Sequence, residues 1–467
     1  MSTVMQNRRA LLSLLLVATT LGQGCSTFAQ ANYDKSMSWS DIRAHDLRRA
    51  MNSEYGSPAN LYDRVLPSGT HNLVLNDSDD RIDDPFKTPE PMRDLVGFWL
   101  KIYTQYSTKN LVIFDRKHPE VIYEAMDFRD LAQTSRNAVV YEIVREQRVK
   151  KRIAEYRQAF TQLVKMKKRN KTLSPETKGL TQVQKNILTA ITSSSHPHSL
   201  SEWSRGMRAQ TGQRDNVIKG LLSAETFMPK MEEIFIQLGL PKELTRIPLV
   251  ESSFNVAAHS KAGAVGVWQF MPLSGKEYMR VDPAPGIDER RSPLKSTIAA
   301  ARLLKRNLLM TGNWPLAITA YNHGFTGIKR LSPRERSSAI DGDLFQPCQK
   351  KKHLGYASSN YYAEFLAMVH AEAYRDVYYG ESPLPVTPPL KFHKIKEGQS
   401  AFQYALKTGT SLHDIQLFNP DIRNLKQKLP VGYYIATPGH EGEMDELVGS
   451  IRAKRVARPK RVALTSN

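Results

Sequence analysis

One stretch constrains this chain more than any other: Pro241-Lys-Glu-Leu-Thr-Arg-Ile-Pro-Leu-Val-Glu-Ser-Ser-Phe254. Leu244, Ile247, Glu251 and Phe254 are spaced three, four and three apart, so on a helix they share one face. The spacing predicts a helix in which Glu251 lies along an apolar stripe instead of pointing into water. Just upstream, Pro229 suits the first turn of a helix from Met228 to Leu238, and Gly239 suits a left-handed C-terminal cap. Pro241 then suits the first turn of the next helix. Pro248 falls inside that second helix and removes one hydrogen bond. An isolated carboxylate in apolar surroundings raises its pKa and stays protonated near neutral pH. That is the state a general acid needs. Taken alone, Glu251 also fits a helix-end glutamate satisfied by a neighbouring arginine.

The rest of the chain divides around this stretch. Residues 32–86 are polar and turn-rich, with Asn-Asp-Ser-Asp-Asp at 76–80, and read as a loose lead-in. From Pro91 to Tyr106 the spacing of Leu95, Trp99, Leu100, Tyr103 and Tyr106 predicts an amphipathic helix. A long helix is expected from Ala138 to Arg169, apolar at Val140, Ile143, Ile153, Tyr156, Phe160 and Val164. Its basic residues read mainly as a solvated face. Residues 32–199 thus form a helical accessory region, closed by a Ser/His/Pro segment from Ser193 to His198. Residues 200–380 are helical and dense in motifs. A Pro-rich linker spans 381–390, a module of about fifty residues spans 391–439, and a basic tail fills 440–467. The expected fold class is mainly α, with a small α+β module at the C-terminal end.

The motifs of 200–380 decide how Glu251 is read. After Glu251 come Ser252, Phe254 and Asn255, then Ser260-Lys-Ala-Gly-Ala-Val-Gly-Val-Trp-Gln-Phe-Met-Pro272, and later Trp314-Pro-Leu-Ala-Ile-Thr-Ala-Tyr-Asn-His-Gly324. Glu-Ser-x-Phe, Gly-x-x-Gln-Phe-Met-Pro and Ala-Tyr-Asn-x-Gly, in that order, resemble the catalytic domain of the lytic murein transglycosylases, and within that family its membrane-bound type D branch. The resemblance covers about 200–380. It implies a lysozyme-like, mostly helical domain with the glutamate at a helix end in a deep groove. It also implies roles: Glu251 as acid and then base, Ser260 and Gln269 bonding the sugar beside it, and Met271 lining the glycan–peptide groove. Tyr321 and Asn322 would orient the glutamate or the N-acetyl group, Tyr361 matches the late tyrosine of the family, and Ser252 would fix the helix end. Met271 also fits a plain core role, and Gly263, Gly266 and Gly324 fit turns. Gln269 and Asn322 are harder to place that way, because buried amides need partners.

Most glycosidases flank the scissile bond with two carboxylates. Between Glu251 and Asp282 the only other acid is Glu277, which belongs to no motif. A single acid needs help from the substrate, and the neighbouring N-acetyl group can supply it. The resemblance implies that the muramic acid 6-hydroxyl then attacks the anomeric carbon and leaves a 1,6-anhydro end. Attack by water, as in a lysozyme, remains open on residue types alone, as does a wall-binding protein without turnover.

The segment from His393-Lys-Ile-Lys-Glu-Gly398 through Leu417-Phe-Asn-Pro420 to Thr437-Pro438 reads strand, helix, helix, strand. It resembles a LysM module, which binds N-acetylated glycans. Gln399, Ala401 and Tyr404 stand where that family usually has Asp, Leu and Ile, so the resemblance speaks more for the fold than for sugar affinity. A small packing domain is the other reading.

Charge and the N-terminus bound the partners. Lysine and arginine number 66 against 46 acidic residues, a net +20, which attracts polyanions. Arg8 and Arg9 precede an apolar run from Ala10 to Leu21, followed by small residues, so residues 1–31 read as an export signal. Two exits are open: Ala29-Gln30-Ala31 fits cleavage before Asn32, and Gly24-Cys25-Ser26 resembles a lipoprotein site that would place a lipid on Cys25 and attach the protein to a membrane. An exported protein does not meet chromosomal DNA, so the expected polyanion is peptidoglycan in the cell envelope. Cys25 and Cys348 are the only cysteines, which gives no disulfide framework and no metal-ligand cluster, and no metal or cofactor is implied.

Overall fold

The computed structural model describes residues 67, 69–169, 172–194, 198–282, 286–347, 354–380, 388–439 and 445–447. The export signal with Cys25, the lone Cys348, most of the Pro-rich segment and nearly all of the basic tail lie outside the described residues. The molecule is mainly helical, with short strands β1 (Asn110–Asp115), β2 (Ile122–Asp127), β3 (Met207–Thr211), β4 (Val281–Asp282), β5 (Ile287–Asp288), β6 (Leu390–Lys394) and β7 (Tyr434–Pro438).

The expected helix near Pro91 forms over Arg93–Thr104 and buries Leu95, Val96, Phe98, Trp99, Leu100, Ile102 and Tyr103. It packs along the helix Tyr356–Ala373, so this N-terminal element belongs to the same core as the residues around Glu251. The lead-in is not loose from Gly69 onward. Asp77 accepts from the backbone N–H groups of Arg81 and Ile82 and from the Tyr374 hydroxyl, 2.7 Å away, and buries Ile82 and Phe86 behind it. The aspartates that read as turn-formers are held by a distant tyrosine.

The sequence reading missed the sheet β2-β1-β3, whose pairings are antiparallel. Its central strand, β1, is apolar without a break because both faces are covered. Val112 and Phe114 enter the main core, while Leu111 and Ile113 face a second core under Tyr156, Phe160, Leu163 and Trp203. A short unbroken apolar run has no period by which to tell strand from helix. The long helix spans Ala138–Lys168 and is capped by Asn137. Its buried stripe is Tyr141, Tyr156, Ala159, Phe160 and Leu163, whereas Val140 and Ile143 are exposed. Part of its basic face is paired, Arg152 bridging Glu124 and Glu155.

Residues 390–438 fold as strand, helix, helix, strand, with β6 antiparallel to β7 and helices Ala401–Thr408 and Leu412–Phe418 between them. Asn419 explains why this turn needs its amide. Its buried side chain donates to the carbonyls of Ile415 and Ala436 and accepts from the N–H of Ala436, tying the helix end to β7. The unit is docked on the body of the protein. Ile287 shares its core, Ile422 bridges to Ile287, and the Asp288 and Arg423 N–H groups donate to the Asp421 and Gly286 carbonyls. Beneath them Lys295 donates to Asp421 at 2.6 Å and to Tyr433, and Tyr433 donates to the same carboxylate oxygen.

Candidate active site

The stretch that carries Glu251 is not one continuous helix. Helix Met228–Gln237 ends at Gly239, which takes φ 69°. Pro241 then caps a tight 3-10 turn, Lys242–Arg246, and a fresh α-helix runs Ile247–Ser252. Pro248 therefore sits in a first turn, where its missing N–H costs nothing. Phe254 is not on that helix either. Ser253 and Phe254 adopt φ 48° and 53°, and this left-handed turn folds Phe254 back so that its N–H donates to the Pro248 carbonyl. Leu244, Ile247 and Phe254 are fully buried as expected, each contributing about 1.5–3 kcal/mol, but by a turn and not by one helical face.

Glu251 is half-buried at the end of this short helix. The nearby arginine, Arg246, is spent on Glu232 and Glu372. Among the described residues the hydrogen bond to the Glu251 carboxylate comes from Tyr361, whose hydroxyl donates to Oε1 at 2.6 Å. Loss of hydration pushes the Glu251 pKa up to about 7, against the Tyr361 bond, which favours the charged form. Tyr361 is itself held above the usual tyrosine range by burial and by Glu251. This carboxyl can give a proton and take one back at neutral pH.

A cavity of about 360 Å³ opens on Glu251. Its walls include Leu249, Val250, Ser252 and Ser253 from the glutamate's own segment, and Gln213 and Val217 from the helix Arg214–Ala224 and its start. Trp99, Tyr103 and Gln210 come from the helix Arg93–Thr104 and from β3, far away in sequence. Glu364, one helical turn beyond Tyr361, lines it as well. None of these four distant residues was legible as part of the site, because no local motif marks them. A second cavity, of about 710 Å³, is lined by Ser252–Ala257 and reaches Gln416, Leu417 and Pro420 of the C-terminal unit.

The remaining expected residues form a brace. The loop 258–270 folds back on itself through bridges from Val265 to His259 and Phe270. Gly266, at φ 76°, is obligatory: a Cβ there would stand 2.0 Å from the Arg290 carbonyl oxygen. Three successive carbonyls of this loop are held by expected site residues. Gln269 Nε2 donates to Gly266 at 2.8 Å, Ser252 Oγ lies 3.0 Å from the Val267 oxygen, and the Tyr321 hydroxyl donates to Trp268 at 2.7 Å. Ser252 Oγ also reaches the Pro248 carbonyl at 3.1 Å, so it joins the helix end to the loop. Gln269 takes φ 50°, a left-handed backbone in a residue with a Cβ. Trp268, fully buried, anchors the loop through its Nε1–H to Thr297 and by stacking on Phe235.

The placement of the other residues is mixed. Tyr321 feels the charge of Glu251, which helps hold its hydroxyl pKa high, after burial. Ser260 Oγ accepts from the Ala264 N–H and so organises its own turn. Met271 is 43% exposed, at the start of the helix Pro272–Tyr278. Asn322 is exposed and accepts from Ser358 at 3.3 Å. Ser260, Gln269, Met271, Tyr321 and Asn322 are not wall residues of the cavity at Glu251.

Comparison with known proteins agrees with the motif order. The membrane-bound lytic murein transglycosylase D of Escherichia coli (strain K12) is 36% identical over 104 residues, 22% of this chain and 23% of that protein, and the protein of the same name from an E. coli O6:H1 strain matches equally. A protein of Alteromonas sp. (strain M-1) named for tributyltin chloride resistance is 40% identical over 87 residues, 18% of this chain and 42% of that one. The match thus spans less than a quarter of the length of the two E. coli relatives. Residues 237–342, which hold Glu251, the braced loop, Tyr321 and Asn322, match the family model of the Transglycosylase SLT domain.

Proposed function

We propose that the protein is a lytic transglycosylase that cleaves the β-1,4 bond between N-acetylmuramic acid and N-acetylglucosamine in peptidoglycan. The observation that carries this reading is Glu251, desolvated enough to be protonated near neutral pH and bonded by Tyr361 in a way that supports its charged form. Protonated Glu251 gives its proton to the glycosidic oxygen as the bond to the anomeric carbon breaks. The neighbouring N-acetyl group shares the positive charge that develops there. Glu251, now a carboxylate, takes the proton of the muramic acid 6-hydroxyl as that oxygen bonds to the anomeric carbon. The product is a 1,6-anhydro end, no water is consumed, and the carboxyl returns to its starting state.

Ser260, Gln269 and Met271 would face the glycan, Tyr321 and Asn322 would orient the reacting groups, and Ser252 would hold the helix end. The proposed organisation has an accessory region over 32–199, a lysozyme-like catalytic domain over 200–380, and a LysM-like module over 391–439. The two E. coli relatives are named as membrane-bound, and among the described residues no helix is long and apolar enough to cross a membrane. A cell-envelope protein, attached through a lipid on Cys25 or released by cleavage before Asn32, fits both. The rival is a hydrolase of lysozyme type, in which the second carboxyl at the cavity, Glu364, would have to activate water.

Mass spectrometry of muropeptides released from purified peptidoglycan separates these readings. Products one water lighter than hydrolysis products are expected, with Glu251→Gln slower by about 10²–10⁴-fold. Ordinary reducing ends would make the enzyme a hydrolase. Binding without release would make it a wall-binding protein.

A further inference from the structure

The helix Tyr356–Ala373 presents two polar side chains to the cavity region, three residues apart and therefore on one face. Tyr361 is used: its hydroxyl donates to Glu251. Glu364 is not accounted for by the mechanism above. Its carboxyl lines the same cavity as Glu251, and among the described residues no hydrogen bond or ion pair engages it. A half-buried carboxyl that lines a cavity with no protein partner is open to a hydrogen bond from a ligand. The titratable groups around it are Glu251 on the helix Ile247–Ser252, Tyr361 and Tyr356 on its own helix, and Tyr103 on the helix Arg93–Thr104. Two cations on the adjoining elements are committed elsewhere. Arg208 lies 3.9 Å over the Tyr356 ring, and Arg214 donates to the Tyr378 carbonyl.

We propose that Glu364 is a glycan-binding residue, its carboxyl donating a hydrogen bond to an acceptor oxygen of the N-acetylated sugar seated beside Glu251. This rests on the transglycosylase reading and names one contact within it. Two carboxyls in one desolvated cavity do not both ionise readily, and the ionisation of Glu251 opposes that of Glu364. Burial, with Glu251 second, pushes the Glu364 pKa up to about 8. Both causes favour the protonated form of Glu364, and a neutral acid is a donor where a carboxylate would only accept. Gln210 and Gln213 supply amides to the same cavity, so the sugar would meet donors from three elements. A neutral Glu364 is also a poor base for water, which distinguishes this role from that of a second catalytic carboxylate.

The test is glycan binding in the full chain carrying Glu251→Gln, which removes turnover and the titration of Glu251. The probe is purified peptidoglycan glycan strands. Adding Glu364→Ala is expected to weaken binding about 3- to 10-fold near pH 6, the worth of one neutral hydrogen bond. Adding Glu364→Gln, which keeps a donor, is expected to hold affinity within about twofold and to keep it near pH 9, where the parent with Glu364 weakens. Unchanged binding with Glu364→Ala, or Glu364→Gln as weak as Glu364→Ala, overturns the proposal. If Glu364→Ala fails to fold by its melting curve, the pH comparison with Glu364→Gln decides alone. Wild-type chain that releases no muropeptides sinks the enzymatic reading, while the binding series still judges Glu364. No binding by the Glu251→Gln parent at either pH sinks both.

Discussion

Glu251 must be a willing acid and, a moment later, a willing base. Burial alone would make it only an acid, because desolvation penalises the carboxylate. The Tyr361 hydroxyl at 2.6 Å opposes that penalty. Tyr361→Phe removes the opposing bond, so the Glu251 pKa rises further above its present value of about 7. The protonated form then persists to higher pH, and the alkaline limb of the pH–rate profile is expected to move up. The carboxylate formed after bond cleavage loses its donor, so kcat should fall about 3- to 10-fold at the optimum. A profile that moved down, or did not move, would mean that Tyr361 does not act through Glu251.

At the scale of elements, precision at Glu251 comes from short pieces held by others. The helix that carries it has 6 residues, too few to be stable alone. Arg246 ties its start to Glu232 and Glu372, Ser252 ties its end to the loop at Val267, and Tyr321 ties that loop to the helix Trp314–His323. The C-terminal unit is held as firmly, by a lysine on the helix Pro293–Thr311 that meets a carboxylate with no exposed surface. Lys295→Ala would leave Asp421 charged and unpaired in that interface, at a cost of about 3–5 kcal/mol. A lower melting temperature and faster proteolysis of the C-terminal unit are expected, with the helical signal of the body retained. Unchanged proteolysis would show that the apolar contacts of Ile287 and Phe418 dock the unit without the ion pair.

Over the whole molecule, the N-terminal elements are not an appendage to the site. Trp99 and Tyr103 reach the cavity from the helix Arg93–Thr104, and Gln210 reaches it from an edge strand of the three-stranded sheet. The net charge of +20 acts at a longer range than any of these contacts. Its field is screened within about 8 Å at physiological ionic strength, so it steers encounter more than it holds the strand. Raising salt is therefore expected to reduce the rate on intact anionic peptidoglycan while leaving the rate on short neutral glycan fragments nearly unchanged. Equal salt sensitivity on both substrates would place the charge effect inside the cavity.

The sequence by itself singled out the Glu251 neighbourhood and much of the mainly helical fold. The motifs singled out Ser252, Gln269 and Tyr321, which the structure gathers on one loop, and the 3.6-residue period drew the helices at 93–104 and 138–168 nearly to their ends. Those are local signals, written in spacing and caps. The left-handed turn at Ser253 and Phe254, the sheet around β1 and the docking of residues 390–438 were not local. Each depends on which surface covers the segment. Glu364 shows the limit most clearly. On the sequence it is one acid in an apolar helix 113 residues from Glu251, and no spacing links the two. Only the packing of Tyr356–Ala373 against the glutamate's short helix puts both carboxyls in one cavity, where desolvation and the charge of Glu251 raise the Glu364 pKa.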